Sequence, residues 1–183
     1  MNKEFDMMGM FIATLPINIE TIGKRAFEGT PLTSISIPKT VTTISEKAFY
    51  SSGITSVVIP AGVTKIGNEA FANCKSITSI VFEEGFKGTL GSSAFMGTSA
   101  LTTLTLVEGI TEIPHQCFWA VGKTNGIDRV VLPDSVTTLA GRAFADSGIR
   151  ELVINKASQL KKITGNAFEG MKSIKSIYLP DGV

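Results

Sequence analysis

The sequence predicts a right-handed, β-rich solenoid of about seven coils, each spending 22–26 residues. Three observations carry this. Phe recurs at 27, 49, 71, 95, 118, 144 and 168, at intervals of 22, 22, 24, 23, 26 and 24 residues. Ala precedes six of the seven and Cys117 the other, and an aliphatic residue stands five positions before each: Ile22, Ile44, Ile66, Leu90, Ile113, Leu139 and Ile163. Downstream of every Phe runs an aliphatic-x-x-aliphatic-x-aliphatic pattern, from Leu32, Ile35 and Ile37 to Ile174, Ile177 and Leu179.

Each part of the repeat has a physical reading. The aliphatic-x-aliphatic core has period two and is rich in Ile and Val, so it is a short strand with alternate side chains turned inward. Pro follows the strand at 38, 60, 133 and 180; lacking an N–H for a ladder, it marks the strand end and turns the chain. Val41, Val63 and Val136 then lead along a second side. Segments such as 45–49 and 67–71 read as one short helical turn that folds the Phe into the core. One unit buries almost nothing alone, so neighbouring coils must cover it. Coils stacked at about 4.8 Å pair their strands into one parallel sheet, and seven give a rod of roughly 34 Å.

Composition agrees. The 183 residues carry 17 Lys plus Arg against 16 Asp plus Glu, a net charge of +1 that supplies no footprint for nucleic acid. Apolar residues make up 43%, which argues against disorder, and 18 Gly with seven Pro call for many turns. No run reaches the roughly 18 apolar residues of a spanning helix. The uncharged run 7–19 follows Lys3, Glu4 and Asp6, contains Pro16 and has no small-residue cleavage site, unlike a signal peptide. Residues 1–9 are read as a leader or ragged cap and residues 10–183 as a single solenoid domain. The chain stops in mid-repeat at Val183 without a polar cap, so we expect repeats to continue beyond it or another chain to cover the end.

The consensus L-x-x-I-x-I-P-x-x-V-x-x-I-x-x-x-A-F-x-x-C, clear in residues 32–49, 54–74 and 127–144, resembles the BspA-like (Treponema pallidum type) leucine-rich repeat family. The resemblance covers residues 10–183 and implies a leucine-rich-repeat solenoid with one parallel sheet and short helical turns. It departs at the Cys after Phe, which survives only as Cys74; Ser52, Thr98, Ser147 and Met171 stand in its place. It also implies a cell-surface or secreted location and adhesion to host or neighbouring-cell proteins, such as those of the extracellular matrix.

No catalytic constellation accompanies the repeat. His115 and Cys117 occupy the ordinary Ile-x-x-x-Ala-Phe register, so Cys117 replaces a core Ala and lacks the orienting group and oxyanion pocket of a nucleophile. Cys74 and Cys117 lie two coils apart, about 10 Å by strand spacing, too far for a disulfide. Gly122-Lys-Thr124 lacks the upstream Gly of a phosphate loop. No calcium loop, metalloprotease helix or glycosylation acceptor is present, and we expect no catalytic residue, metal or cofactor.

The outward strand positions are the candidate surface. One column reads Ser36, Val58, Val81, Thr105, Val131, Val153, Tyr178; the column before it reads Ser34, Ser56, Ser79, Thr103, Arg129, Glu151, Ser176. β-propensity alone accounts for Val and Thr there, but four Val and a Tyr in a line form an apolar stripe of the size linked to partner binding. The second candidate is the insert 119–126, which lengthens the Phe118-to-Ile127 spacing to nine residues against five or six elsewhere and holds the only Trp. Trp119 is read either as a local cap over the coil edge or as an anchor for a partner. The sequence therefore points to a non-enzymatic protein-binding module contacting its ligand through Val58, Val81, Thr105, Val131, Val153, Tyr178 and Trp119. A structural spacer or scaffold, or the repeat domain of a larger enzyme, are the alternatives.

Overall fold

A computed structural model describes residues 3–5, 11–177 and 179, and its chain winds as a parallel-strand solenoid of about seven turns. The strands in chain order are β1 (Lys3–Phe5), β2 (Phe11–Ala13), β3 (Thr21–Ile22), β4 (Leu32–Ile35), β5 (Thr43–Ile44), β6 (Ser56–Ile59), β7 (Lys65–Ile66) and β8 (Ser79–Phe82). They continue with β9 (Thr103–Thr105), β10 (Glu112–Ile113), β11 (Val130–Leu132), β12 (Thr138–Leu139), β13 (Glu151–Ile154), β14 (Lys162–Ile163) and β15 (Ser176–Ile177). Below, coils are numbered by the strand segments that begin at Leu32, Ile54, Ile77, Leu101, Ile127, Ile149 and Ile174.

The predicted strand column is present, and every pairing within it is parallel except that of β1, which runs antiparallel to β2. It is divided into three hydrogen-bonded segments, β1-β2-β4, β6-β8-β9 and β11-β13-β15. A second column of two-residue strands, β3-β5-β7 and β10-β12-β14, forms the side that follows the strand-ending turns, with a single bridge from Lys65 to Thr89 in place of a strand after β8. Two residues are too short for a periodic signal, so this side was legible only as a path.

The Phe spine is the centre of the core. Phe49, Phe71, Phe95, Phe118 and Phe144 are fully buried, and consecutive rings from Phe27 to Phe144 stack at 5.1, 5.0, 5.2, 5.5 and 5.5 Å between centroids. The next step, Phe144 to Phe168, opens to 6.4 Å, where Phe168 is half-buried. Phe82 and Phe86 fill the third coil edge-on beside the column.

The segment leading into each Phe is not a helical turn. Among the described residues no helix is present. Arg25, Lys47, Glu69, Ser93, Gln116, Arg142 and Asn166, each two positions before its Phe, adopt φ of 54–63°. Successive peptide planes do different work. In the first such turn, Ala26 N–H bonds Gly23 O and Glu28 N–H bonds Arg25 O within the coil, while Arg25 N–H reaches Glu46 O and Phe27 N–H reaches Ala48 O in the next. A left-handed Arg, Lys or Gln is unfavourable in isolation. Here the coil-to-coil bonds over-determine it.

Phe71→Ala removes a ring stacked on both sides and should cost about 3–5 kcal/mol through the cavity it leaves. Urea unfolding measures this; a loss below about 1 kcal/mol would mean the spine is not the core.

Candidate functional site

The pleat turns alternate strand residues outward, and the ladder fixes their register. Val58 pairs with Val81 and Val81 with Thr105, and Val131 pairs with Val153. Val58 is 51% and Val131 42% exposed, among the few large apolar side chains open to solvent. Thr105 is exposed, whereas Val81 and Val153 are half-buried between coil neighbours. Tyr178 lies outside the described residues. The structure thus brings five of the six strand-face residues into one column, interrupted where β9 and β11 are not paired.

Beside it runs a ladder of hydroxyls. Thr55 donates to Thr33 O at 3.2 Å, Thr78 to Thr55 O at 3.2 Å and Thr102 to Thr78 O at 3.0 Å. In the fifth and sixth coils charged residues replace these Thr and Ser positions. Arg150 pairs with Asp128, and Arg129 Nε lies 3.8 Å from Glu151 Oε2.

Trp119 sits elsewhere, on the turn side, directly after the spine residue Phe118. It is half-buried, and its indole N–H donates to Asp146 Oδ2 at 3.1 Å in the next coil. The same arrangement occurs at Tyr50, whose hydroxyl accepts from Asn73 Nδ2 at 3.0 Å. In both cases the next coil carries a buried Ala, Ala145 or Ala72, at the register of the aromatic ring, which leaves the ring room. The side chain that bonds the aromatic, Asn73 or Asp146, is itself accommodated one coil further on. A Cβ at Gly97 would meet Asn73 Oδ1 at 2.5 Å, and one at Gly170 would meet Asp146 Oδ1 at 2.4 Å, each glycine having positive φ. Tyr50–Asn73–Gly97 and Trp119–Asp146–Gly170 are therefore one three-coil clamp built twice, which the sequence reading did not find.

The insert around Trp119 is tied down. Val121 is buried, Gly122 N–H bonds Thr98 O, Thr124 N–H bonds Ser99 O, and the Asn125 amide donates to Ala100 O at 3.0 Å. Arg150 covers its exit by donating to Asn125 O at 3.2 Å.

The cysteines lie in the core. Burial pushes the Cys117 thiol far above its ordinary range, and Cys117 is fully buried while His115 is exposed, so the two do not form a nucleophile–base pair. Cys74 is also raised, chiefly by burial, with its thiol against Phe49 O at 2.9 Å and the Ser52 hydroxyl at 3.4 Å. Both cysteines are free. Among the described residues no cluster of three or more His, Cys, Asp or Glu could hold a metal, and no helix is long and apolar enough to cross a membrane.

Stacked parallel strands over a repeated aliphatic and Phe core define a leucine-rich-repeat solenoid. The chain belongs to the BspA type leucine rich repeat family, six copies of which match residues 2–125 and 119–183. It is similar in fold to the T. pallidum leucine rich repeat protein, with TM-score 0.66 and 22% identity over 90% of this chain and 78% of that one. A leucine rich cell surface protein from Faecalibacterium prausnitzii A2-165 gives TM-score 0.58 and 24% identity over 94% of this chain and 48% of that one. A leucine-rich repeat protein from Eubacterium ventriosum gives 0.56 and 24%, covering 75% and 43%. This chain therefore spans about half the length of the last two or less. No curated protein sequence matches it.

Two outcomes follow from the geometry. A thiol whose pKa is raised by folding stays neutral while the unfolded thiol ionises near about 8.5, so the thiols' contribution to stability is fully present below that pH and is lost as pH rises above it. Unfolding free energies across the alkaline range should show this decline, and the Cys74→Ala/Cys117→Ala double variant should flatten it. Trp119→Phe deletes the donor to Asp146 and should cost about 0.5–1.5 kcal/mol; an unchanged urea midpoint would show the clamp to be idle.

Proposed function

We propose that this chain is a non-enzymatic protein-binding module of the bacterial cell surface, contacting host or neighbouring-cell proteins through the outward strand column. The observation that carries it is the column itself. Val58 and Val131 are held open to solvent on a rigid ladder. A rod of this kind offers area and spacing. Val58, Val81, Thr105, Val131 and Val153 supply the contact in this reading, with Tyr178 continuing the same register in sequence. Trp119 would serve a partner only by its exposed edge, because its N–H is already engaged. Family membership and a neighbour described as a leucine rich cell surface protein support the surface location.

These side chains point away from the core, so changing them removes desolvation energy from an interface and leaves packing intact. The purified chain is passed over a panel of extracellular-matrix and bacterial-surface proteins, and affinity for each captured protein is compared with that of Val81→Glu/Val131→Glu. We expect at least a hundredfold weaker binding, since two unpaired carboxylates would be buried, with a near-constant thermal melt. Unchanged affinity moves the site off the strand face. No capture across the panel favours a spacer.

A further inference from the structure

We propose that the chain also associates with a second copy of itself, face to face, through the charged strand face of its fifth and sixth coils. The second to fourth coils are uncharged at every outward strand position: Thr55, Ser56 and Val58; Thr78, Ser79 and Val81; Thr102, Thr103 and Thr105. The next two carry Asp128 and Arg129, then Arg150 and Glu151. Ile127 bridges Ile149 and Val130 pairs with Leu152, which places Asp128 beside Arg150 and Arg129 beside Glu151. Every charge thus has an opposite one next to it both along its strand and across to the next coil, a two-by-two checkerboard. All four side chains are open to solvent, from 40% exposed for Arg150 to 89% for Asp128.

Local fastening of the coils does not require these charges. Thr hydroxyls make the same coil-to-coil link in the preceding coils, and exposed ion pairs contribute little to stability. A patch of one sign would repel its own copy. A checkerboard complements its copy.

The symmetry operation can be specified. A two-fold axis lying in the face and parallel to the strands sets the fifth coil over the sixth of the second copy. Asp128 then meets Arg150, Arg129 meets Glu151, and Val131 meets Val153. The flanking Lys175 falls over the uncharged Thr102, so no like charges are opposed. An axis along the rod would also match the charges but would leave Val131 and Val153 without apolar partners. The strand-parallel axis is therefore the one selected, an isologous contact with the two rods antiparallel and the sheets packed in aligned fashion. Five strand residues by four coils cover on the order of 300 Å² per copy, below the ~800 Å² of a standard interface. The dimer is accordingly weak and weakens further with salt.

Sedimentation equilibrium of the whole chain in low salt, up to about 1 mM, should show reversible dimer formation that fades as salt is added. Arg129→Glu opposes Glu151 of the second copy and should weaken association at least tenfold. The swap Arg129→Glu with Glu151→Arg should restore it, because position 129 again meets the opposite sign; under the rod-parallel axis the same swap would oppose Asp128 to Glu and Arg150 to Arg. Circular dichroism melts confirm that each variant folds. A wild-type chain that stays monomeric, or a swap that fails to restore association, overturns the proposal. Arg129 and Glu151 lie outside the Val column, so retained affinity for a captured partner beside lost self-association separates this result from the binding reading.

Discussion

Like side chains must stack on like at about one strand spacing, and the rest of the structure answers to that requirement. The Phe rings show it most directly, holding 5.0–5.5 Å across five successive steps while the sequence interval between them varies from 22 to 26 residues. A constant axial repeat with a variable chain length means that every extra residue must leave the stack as a loop. That is where the insert 119–126 goes. The requirement also explains the left-handed Arg, Lys, Glu and Gln before each Phe. With that residue at positive φ, one peptide of each pair reaches the neighbouring coil while the other closes a local turn, so the backbone stays satisfied without a helix or a long strand.

The inward half of this design was legible because it is periodic. Ile54, Val57 and Ile59 and their counterparts in six other coils are spaced by the pleat, and the pleat is a property of the chain. The turns were not legible. Lys47 and Gln116 carry no intrinsic signal for positive φ, and the repeat Ser-Glu-Lys-Ala-Phe reads as easily as a helical turn. Bonds to another coil decide the conformation, and those partners lie 21 or more residues away, outside any local window.

The surface divides in the same way. That Val58 and Val131 face solvent follows from alternation, but that Val81 and Val153 are half-covered depends on their neighbours in adjacent coils. Trp119 is not legible for a related reason: its partner Asp146 lies 27 residues downstream, the room for its ring is left by Ala145, and the room for Asp146 is left by Gly170 one coil further on. A signal existed in the sequence. A large aromatic just after a spine Phe is followed, one coil later, by Ala at the same register and a hydrogen-bonding residue beside it. Tyr50, Ala72 and Asn73 spell the rule a first time, and Trp119, Ala145 and Asp146 repeat it.

Inside and outside are thereby uncoupled to an unusual degree. In a stacked array each coil touches only its neighbours, and the stack constrains only the inward residues and the backbone bonds. The outward positions can change from Thr55 and Ser56 to Asp128 and Arg129 without disturbing Ile54 or Ile127, both fully buried in equivalent places. The change in surface character falls between the fourth and fifth coils, where the insert departs and β9 is not paired with β11. One rod can then carry two surfaces, an uncharged one of Val and hydroxyls and a charged one of alternating sign. What such a rod recognises is set coil by coil along its face, on a core that is indifferent to it.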